Sequence, residues 1–554
     1  MKQLTSDKRT DVVREDSVFH GYSGMCMTPS GHLVLGRRLA SGHGAVRWAK
    51  VMACRSDDRG RGWSQPIQLA DGAFDQNNLI VGGGGIYLTA LRNGSVLLHY
   101  DASAWPDRIP EVAYLHRSED GGRTWSPPKR IGDQERTIGD GAILELSNGT
   151  LLLCTGPWLK MLRSTDGGQS WSSPTPIVSG DTPLRLAEVC LSELSEERVL
   201  ILMRESTYAN FPLFGALSED NGQSWSKPFP TPFIGHWPSS VRLADGRHIV
   251  AYRNVGGRCS SVVWCGDLSQ VNGYEVSSCR YNNLSEANYL CDEGLVIDNE
   301  GDKGQFTQFF LFPPDSASAE VCLEAELRCL SNAGQACAIG VRGAGWLRIF
   351  PDHIDIEHFG GDGAVSLDGT AWHCYRFQRR NKRLSVEVDG REVISAPSIE
   401  LPPVNHAPCN AFGNKFDYRT LPRPEHYPMR VRLPKYVRPS NSGKSIWRSV
   451  RLDITGNQYL PDYHYQWLAS RDGLPDHWGE ENLLELDTCR DAGDWGKPVV
   501  ACWPDGECFA VDYFGNGAPV GFGALSFLQP DRGHNCYVAG YRFQVSDIPH
   551  SAHL

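Results

Sequence analysis

The sequence predicts an all-β protein, a six-bladed β-propeller with a lectin-like β-sandwich inserted into it. Three observations support this prediction: a short turn motif occurs four times, a hairpin signal occurs six times, and the spacing of the hairpins is interrupted once. The turn motif returns every 46 to 62 residues, and a period of this length indicates one supersecondary unit repeated along the chain.

The turn motif has the form Ser-x-Asp-x-Gly-x-x-Trp. Its Asp can accept hydrogen bonds from the local backbone, its Gly can adopt a positive φ, and its Trp can cover the turn. We therefore expect the motif to hold turns between strands and to lie away from any substrate. The four copies are Ser56–Trp63, Ser118–Trp125, Ser164–Trp171 and Ser218–Trp225.

The hairpin signal is a turn, most often Asn-Gly or Asp-Gly, between two apolar runs, which is a strong short-range indicator of a β-hairpin. One hairpin together with the strands joined by a later Asp turn supplies the four strands of a blade. Six such units predict a closed ring that leaves only short sheet edges. The six turns contain Gly31, Gly94, Gly149, Glu197, Gly246 and Gly506.

The first five hairpin turns lie 48 to 63 residues apart, but the last two are 260 apart. The extra chain contains strand-like segments, such as Val321–Leu327 and the Asp-Gly hairpin Leu384–Val393. We therefore expect blades one to five in residues 10–270, an inserted lectin-like sandwich in 280–455, and the final blade with ring closure in 456–550. Ser470–Gly473 resembles a degenerate fifth Asp turn, with Trp478 after it.

The composition limits the possible partners. The 554 residues carry a net charge of −11 without a basic stripe, which argues against a nucleic-acid partner. No apolar run reaches the roughly 18 residues that a membrane span needs. The 17 cysteines include no Cys-x-x-Cys pair, so we expect no metal site and no cofactor. Met1–Arg9 lacks the apolar core of a signal peptide, and the prediction is a cytoplasmic protein with reduced thiols and an undetermined oligomeric state.

The Asp turns, the hairpins and the insertion resemble the sialidase (neuraminidase) superfamily of glycoside hydrolases over residues 20–265 and 460–540. The resemblance implies an oligosaccharide or polysaccharide substrate and an active site at one end of a channel lined by the innermost strand of each blade. In sialidase members of the family, three arginines hold a carboxylate, an Asp serves as acid and base, and a Tyr nucleophile is assisted by a Glu.

The resemblance covers part of that set. Glu188 and Arg204 resemble the family's Glu and the Arg that follows it across a hairpin, and Arg253 lies at the corresponding place of blade five. Arg38 matches the family's Arg in blade one. These residues could bind an anionic group such as a sugar carboxylate.

Elsewhere the sequence departs from the family pattern. His20 stands where the first clamp Arg is expected, and His43 stands at or near the place of the Asp acid. Asp494–Pro498, where the Tyr nucleophile is expected, contains no Tyr, and Tyr513 lies later, at a position that we interpret as equivalent to Arg204 and Arg253. Because histidine transfers protons near neutral pH, His43 is the principal candidate for that role.

Three functions therefore remain open: a hydrolase acting on a terminal acidic sugar, a polysaccharide lyase that cuts next to a uronic acid (for example at a rhamnose–glucuronate linkage) with a His base, and a non-catalytic carbohydrate-binding propeller. The candidate catalytic residues are His43, Glu188, His20 and Tyr513. The candidate substrate-binding residues are Arg38, Arg204, Arg253, Asp75 and Lys497.

Overall fold

The structure is a computed structural model that describes most of the chain. It describes residues 1–15, 18–42, 48–73, 80–103, 111–132, 136–156, 159–178, 184–205, 212–254, 260–271, 278–281, 288–301, 307–311, 319–342, 344–356, 363–398, 410–415, 442–457, 462–475, 477–488, 494–516 and 535–549.

The strands before the insertion all belong to the propeller. In chain order they are β1 Lys2–Gln3, β2 Arg9–Val13, β3 Phe19–Met27, β4 Leu33–Ala40, β5 Trp48–Ser56, β6 Ile67–Ala73, β7 Ile80–Ala90, β8 Val96–Ser103, β9 Glu111–Ser118, β10 Lys129–Ile131, β11 Arg136–Gly139, β12 Leu144–Glu145, β13 Leu151–Gly156, β14 Lys160–Ser164, β15 Thr175–Pro176, β16 Leu186–Ser195, β17 Arg198–Glu205, β18 Pro212–Ser218, β19 Phe229–Arg242, β20 His248–Asn254 and β21 Ser260–Gly266.

The strands of the insertion follow. They are β22 Ser278–Tyr281, β23 Asn288–Cys291, β24 Gly294–Asp298, β25 Gln308–Leu311, β26 Glu320–Asn332, β27 Ala338–Val341, β28 Gly345–Ile349, β29 His353–Ile356, β30 Val365–Ser366, β31 His373–Arg380, β32 Arg383–Val388, β33 Arg391–Pro397, β34 Asn410–Gly413, β35 Gly443–Thr455 and β36 Tyr463–Leu468.

The chain then returns to the propeller through two short helices, α1 Ala469–Asp472 and α2 His477–Asn482. The remaining strands are β37 Leu484–Thr488, β38 Asp494–Trp495, β39 Val499–Cys502, β40 Glu507–Asn516 and β41 Asn535–Gln544.

The propeller strands pair into six blades among the described residues, which confirms the predicted fold class. Blades one to three are β3–β6, β7–β10 and β11–β15, and blade four is β16–β18 with the first half of β19. Blade five takes the second half of β19, β20, β21 and β37, and blade six takes β38–β41 with β2. Because β37 pairs with β21, the insertion lies within blade five, before its outermost strand, rather than between blades five and six as the hairpin spacing indicated.

Both sequence repeats have the expected structural roles. Each hairpin joins the first and second strand of a blade, and each Asp turn follows the third strand. In blade two, Asp120 Oδ1 accepts hydrogen bonds from the backbone nitrogens of Arg123 and Thr124, at 3.0 and 2.8 Å, and Ser118 Oγ accepts one from Gly122. The Asp turns therefore close the outer part of blades one to four, away from the channel.

An arginine near the end of the third strand also ties neighbouring blades together. Arg117 Nη1 donates to the carbonyl oxygen of Gly167 in the next Asp turn, at 2.8 Å, and Arg542 of blade six donates to the carbonyl oxygen of Arg59 in blade one, at 2.7 Å. We call these contacts the arginine staples. The two others run from Arg55 to Gly121 and from Arg163 to Asn221.

The insertion is a β-sandwich of two sheets, β22-β25-β34-β27-β28-β29-β30 and β23-β24-β35-β26-β31-β32-β33, with β36 paired to β35. In β26 alternate residues are buried, as expected for a strand with one face on a core. Tyr465 and Trp467 of β36 belong to that core, so the sandwich continues past residue 455. The prediction of a fifth Asp turn at Ser470–Gly473 is wrong, because α1 occupies most of it.

No helix within the described residues is long and apolar enough to cross a membrane. In the same part of the chain, no cluster of three or more His, Cys, Asp or Glu side chains could hold a metal ion.

Candidate active site at one end of the channel

Each innermost strand of the propeller is interrupted by an irregularity at the same depth of the channel. In blade four, Ala187 pairs with Arg204 and the register shifts at Glu188. In each of the other blades, the residue equivalent to Glu188 is the one that directly follows the last regularly paired residue of the innermost strand before the irregularity. We call these six positions the bulge ring: Tyr22, Gly82, Asp140, Glu188, Trp237 and Gly496.

Several bulge-ring residues have left-handed backbone conformations. The φ angles of Tyr22, Glu188 and Trp237 are 51°, 46° and 53°, and Lys497, directly after Gly496, has φ 112°. Such conformations are uncommon for residues other than glycine, cost of order 1–3 kcal/mol each and concentrate at functional sites. Bulges also redirect side chains, so the bulge ring is a candidate for the functional depth of the channel.

Three arginines share one register position beside the ring. Arg38, Arg204 and Arg253 each pair with the residue that directly precedes the bulge, namely Gly21, Ala187 and His236. All three arginines are buried. The sequence interpretation of Arg204 and Arg253 as equivalent therefore agrees with the pairing. In blade six the register-matched residue is Phe514, so the equivalence proposed for Tyr513 is one residue out of register.

Arg204 and Glu188 form a buried ion pair through Nη1 and Oε1. Glu188 is held a second time, because its backbone nitrogen donates to Asp140 Oδ1 at 3.0 Å. The other carboxylate oxygen, Oε2, has no hydrogen-bond partner among the described residues. The carboxyl groups of Asp140 in blade three and Glu188 in blade four are therefore close together, beside the guanidinium group of Arg204.

Asp140 has a strongly shifted acidity. Burial raises its pKa to about 7, the negative charge of Glu188 adds to the shift, and the charge of Arg204 opposes it. A protonated carboxyl group near neutral pH can donate a proton to a leaving group. Asp140 therefore has the property of a general acid at the channel.

Lys497 lies at the bulge ring, directly after Gly496. Its Nζ donates to the carbonyl oxygen of Ile86 at 2.7 Å and lies 3.6 Å from the ring centroid of Tyr87 and 5.3 Å from that of Trp237. Burial lowers the pKa of Lys497 to about 7, although the charges of Asp101, Glu188 and Asp140 oppose this shift.

Arg253 is fixed by its neighbours on both sides. Its Nη2 lies 2.9 Å from His236 Nδ1, and a Cβ atom at Gly496 would lie 2.2 Å from Arg253 Cδ. Burial and the charges of Arg204 and Arg253 hold the pKa of His236 well below its ordinary value. His236 is therefore neutral at pH 7, and Gly496 leaves the space through which the Arg253 side chain passes.

Arg38 is fully buried, with its guanidinium carbon 5.8 Å from the ring centroid of Tyr22. Burial lowers the pKa of Arg38, and the neighbouring Tyr22, Asp101 and Tyr513 oppose that shift. Tyr513 is also buried, with its ring centroid 5.7 Å from Tyr22 and 6.0 Å from Phe19. The structure thus places Tyr513 in an aromatic cluster beside Arg38.

His20 has a different environment from the one expected of a proton donor. It is 1% exposed, and its Nδ1 accepts a hydrogen bond from Arg37 Nε at 3.3 Å. Burial, followed by the charge of Arg37, lowers the pKa of His20 to about 4. The imidazole is therefore neutral at pH 7, which does not favour His20 as a general acid.

Two candidate residues, His43 and Asp75, lie outside the described residues. Of the remaining candidates, Glu188, Arg204, Arg253, Arg38 and Lys497 are brought to one end of the channel, which we call the mouth. Sequence reasoning missed four residues there. These are Asp140 and Asp101, which carry carboxyl groups, and Tyr22 and Trp237, which carry rings.

A signal for part of this set was present in the sequence. Asp140 precedes its hairpin turn as Glu188 precedes the turn at Glu197, so aligning the blades on their turns would have placed the two carboxyl groups together. Tyr22 and Trp237 share no residue type with them, but each also lies nine residues before its turn residue, Gly31 or Gly246. Both the spacing to the turn and the strand register therefore relate all four.

Comparison with known proteins agrees with the repeat. Residues 50–263 match the family described as BNR repeat-like domain. The match and the blades confirm the expected BNR/Asp-box propeller fold. No curated protein matches the chain.

Solved structures resemble the BNR propeller only distantly. A Dyadobacter fermentans protein of unknown function is 16% identical with a TM-score of 0.41, and the alignment covers 55% of this chain and 94% of that one. A Trypanosoma rangeli sialidase mutant with trans-sialidase activity is 10% identical with a TM-score of 0.37, covering 82% and 96%. The NanB sialidase of Streptococcus pneumoniae is 13% identical with a TM-score of 0.37, covering 56% and 68%.

Proposed function

We propose that the protein is a carbohydrate-active enzyme, an exo-acting glycoside hydrolase that removes a terminal acidic sugar from an oligosaccharide or polysaccharide. The observation that carries this proposal is the register match of Arg38, Arg204 and Arg253 at the mouth, beside the carboxyl groups of Asp140 and Glu188.

The arginines supply the binding step. A guanidinium group binds a carboxylate through two parallel hydrogen bonds, and the geometry is stronger and more specific than that of neutral pairs. In this proposal Arg38 and Arg253 contact the sugar carboxylate, and Arg204 contacts it while paired to Glu188. The buried setting strengthens these interactions because water screens them less.

The carboxyl groups supply the chemical step. Glycoside hydrolysis ordinarily uses two carboxyl groups, one protonated to assist the leaving group and one ionised. Asp140, with a pKa of about 7, fits the protonated role, and Glu188, paired to Arg204, fits the ionised role. His43 remains the other candidate for the acid, from its place in the sequence.

The decisive experiment is to incubate the purified protein with glycosides of sialic acid, glucuronic acid and galacturonic acid, with rhamnosides as neutral controls. The expected result is repeated release of one acidic sugar without a product that absorbs in the near ultraviolet. An absorbing unsaturated product would identify a lyase, and saturable binding without turnover would identify a binding protein. Either result would overturn the proposal.

Two variants then separate the rival acids. If Asp140 donates the proton, Asp140→Asn lowers kcat by about 10²–10⁴-fold and His43→Ala does not, because that is the usual contribution of a general acid. The reverse result assigns the role to His43. The melting temperature of each variant must be measured, so that a loss of folded protein is not mistaken for a loss of catalysis.

A further inference from the structure

Two cysteines lie opposite each other in the hairpin of blade six. Cys502 of β39 and Cys508 of β40 are direct cross-strand partners, and both are reduced. The backbone nitrogen of Trp503 donates to the carbonyl oxygen of Glu507 at 2.9 Å, so Trp503 and Glu507 form a hydrogen-bonded pair. Because the two kinds of pair alternate along antiparallel strands, Cys502 and Cys508 form a non-hydrogen-bonded pair, with Cα atoms about 4.5 Å apart. A disulfide bond needs a Cα separation of about 4.4–6.8 Å, so the two cysteines can be joined with both strands in place.

The two thiols already interact with each other. A hydrogen bond between them lowers the pKa of Cys502, against burial and the charges of Asp505 and Asp245, and raises the pKa of Cys508. Burial raises the pKa of the other described cysteines whose acidity is shifted, namely Cys26, Cys54, Cys154, Cys190, Cys265, Cys322, Cys337 and Cys374. Because the thiolate is the nucleophilic form of cysteine, Cys502 is better suited to attack than any of these thiols.

The two thiols also differ in access. Cys502 is 9% exposed and is among the residues that line a cavity of about 300 Å³ behind the bulge ring. Cys508 is 0% exposed. A small uncharged oxidant therefore reaches Cys502 first, with Cys508 next to it as the second thiol. An accessible thiol of lowered pKa beside a second, resolving thiol is the arrangement found in redox-reactive cysteine pairs.

We propose that Cys502 and Cys508 are a peroxide-reactive dithiol, in which Cys502 attacks hydrogen peroxide and Cys508 resolves the product. The Cys502 sulfur attacks one peroxide oxygen, the O–O bond breaks, and Cys502 becomes a sulfenic acid while the other oxygen leaves as water. The Cys508 sulfur then attacks the Cys502 sulfur, the S–O bond breaks, and a second water leaves as the disulfide forms. Two thiols are oxidised and one peroxide is reduced to two waters. This reaction does not depend on the proposed hydrolase activity.

The test is to treat the full, reduced chain with one equivalent of hydrogen peroxide and to map its cysteines by mass spectrometry. We expect loss of two of the 17 thiols and a disulfide between Cys502 and Cys508, which keeps the two halves of the hairpin joined after proteolytic cleavage before Asp505. Cys329 and Cys337 are the matched control within the same chain. They also hydrogen-bond to each other, but both are 0% exposed, so this pair should stay reduced.

Two variants separate the roles of the thiols. Cys508→Ser keeps a hydrogen-bond donor but cannot resolve the product, so dimedone, which reacts with sulfenic acids, should label Cys502. Cys502→Ala should slow the loss of thiols by roughly tenfold or more, the change in thiolate fraction for one pKa unit, and should leave Cys508 reduced. The melting temperature of each variant is measured alongside, and the map of the wild-type chain decides the proposal even if a variant does not fold.

Three results would overturn the proposal. The first is a disulfide that includes Cys265, a third thiol close enough to interact electrostatically with Cys502 and Cys508. The second is oxidation of the buried control pair as fast as that of Cys502 and Cys508. The third is oxidation of the exposed Cys291 while Cys502 stays reduced.

Discussion

At the residue scale, the mouth of the channel depends on groups that are buried and charged at the same time. Arg204 forms an ion pair with Glu188, and Arg253 is held between His236 and Gly496. Removing water from such groups is costly unless each has a partner. Their removal therefore affects both stability and function, and variants must be designed to separate the two effects.

The Arg204–Glu188 pair offers such a separation. Arg204→Met and Glu188→Gln should each lower the free energy of unfolding by about 3–5 kcal/mol, because each leaves the partner buried without its counter-charge. The double variant should recover part of that loss, since neither charge remains. Activity on an acidic glycoside should not recover with it.

Urea unfolding of the four proteins in a double-mutant cycle measures the stability coupling, and initial rates on the same preparations measure function. A double variant that regained activity along with stability would show that the pair has only a structural role.

The shifted acidity of Asp140 predicts a pH dependence of stability. Its pKa in the folded protein, about 7, lies above the ordinary value of 3.8, so the folded protein retains the proton where the unfolded chain has lost it. The resulting stabilisation is fully present below pH 4 and is lost as the pH rises through 7. The variant Asp140→Asn does not have this pH dependence. Its free energy of unfolding minus that of the wild type should therefore increase between pH 5 and pH 8 by at least about 1.4 kcal/mol, the equivalent of one pKa unit.

Asp120→Asn is the matched control for this measurement. Hydrogen bonds from Thr124 and Ser118 lower the pKa of Asp120 to about 2 against the effect of desolvation, so this group is ionised in both states throughout pH 5–8. Its difference from the wild type should be constant across that range in urea unfolding. A constant difference for Asp140→Asn as well would contradict the shifted acidity.

At the element scale, the blade is the repeated unit, and its parts differed in how well the sequence predicted them. The Asp turns and hairpins were predictable because their chemistry is local: Asp, Gly and Asn act on neighbouring backbone groups. The bulge ring was harder to predict, because its members range in type from Gly82 to Trp237 and their spacing to the hairpin turn, nine residues in four blades, is different in blades two and six. The boundaries of the insertion were shifted because β37 belongs to blade five although it follows the sandwich in the chain.

If the arginine staples hold neighbouring blades together, removing one of them should lower the stability of the protein. Arg117→Ala removes a charge-assisted hydrogen bond to Gly167 O and a pair with Glu119, and should lower the free energy of unfolding by about 1.5–3 kcal/mol. Arg123→Ala, a neighbouring exposed arginine whose Nη1 donates to Asp120 O, should change it by less than about 0.5 kcal/mol. Chemical denaturation of both variants checks this, and equal losses would argue against the staple.

At the scale of the whole molecule, two cores are joined through blade five. The sandwich has its own cluster of buried residues, which includes Phe412, Trp447 and Trp467, and the propeller has separate clusters between its blades. A domain that folds independently needs a hydrophobic core of its own, and the sandwich has one.

We accordingly expect a fragment of residues 278–468 to fold alone. A fragment of 280–455 should be less stable, because it lacks β36 and with it Tyr465 and Trp467 of the core. Circular dichroism and thermal unfolding of the two fragments measure this. A disordered 278–468 fragment, or equal stability of both, would contradict the assignment of β36 to the sandwich.

Ring closure has a consequence for how the protein is made. The outermost strand of blade six, Arg9–Val13, precedes blade one in the chain and pairs with Asn535–Gln544, which follows all the other blades. During synthesis on the ribosome, β2 emerges before the other strands of blade six and cannot pair until β41 leaves the exit tunnel. The sandwich, whose strands are contiguous in the chain, can fold while translation continues, but the propeller ring must wait for the last blade.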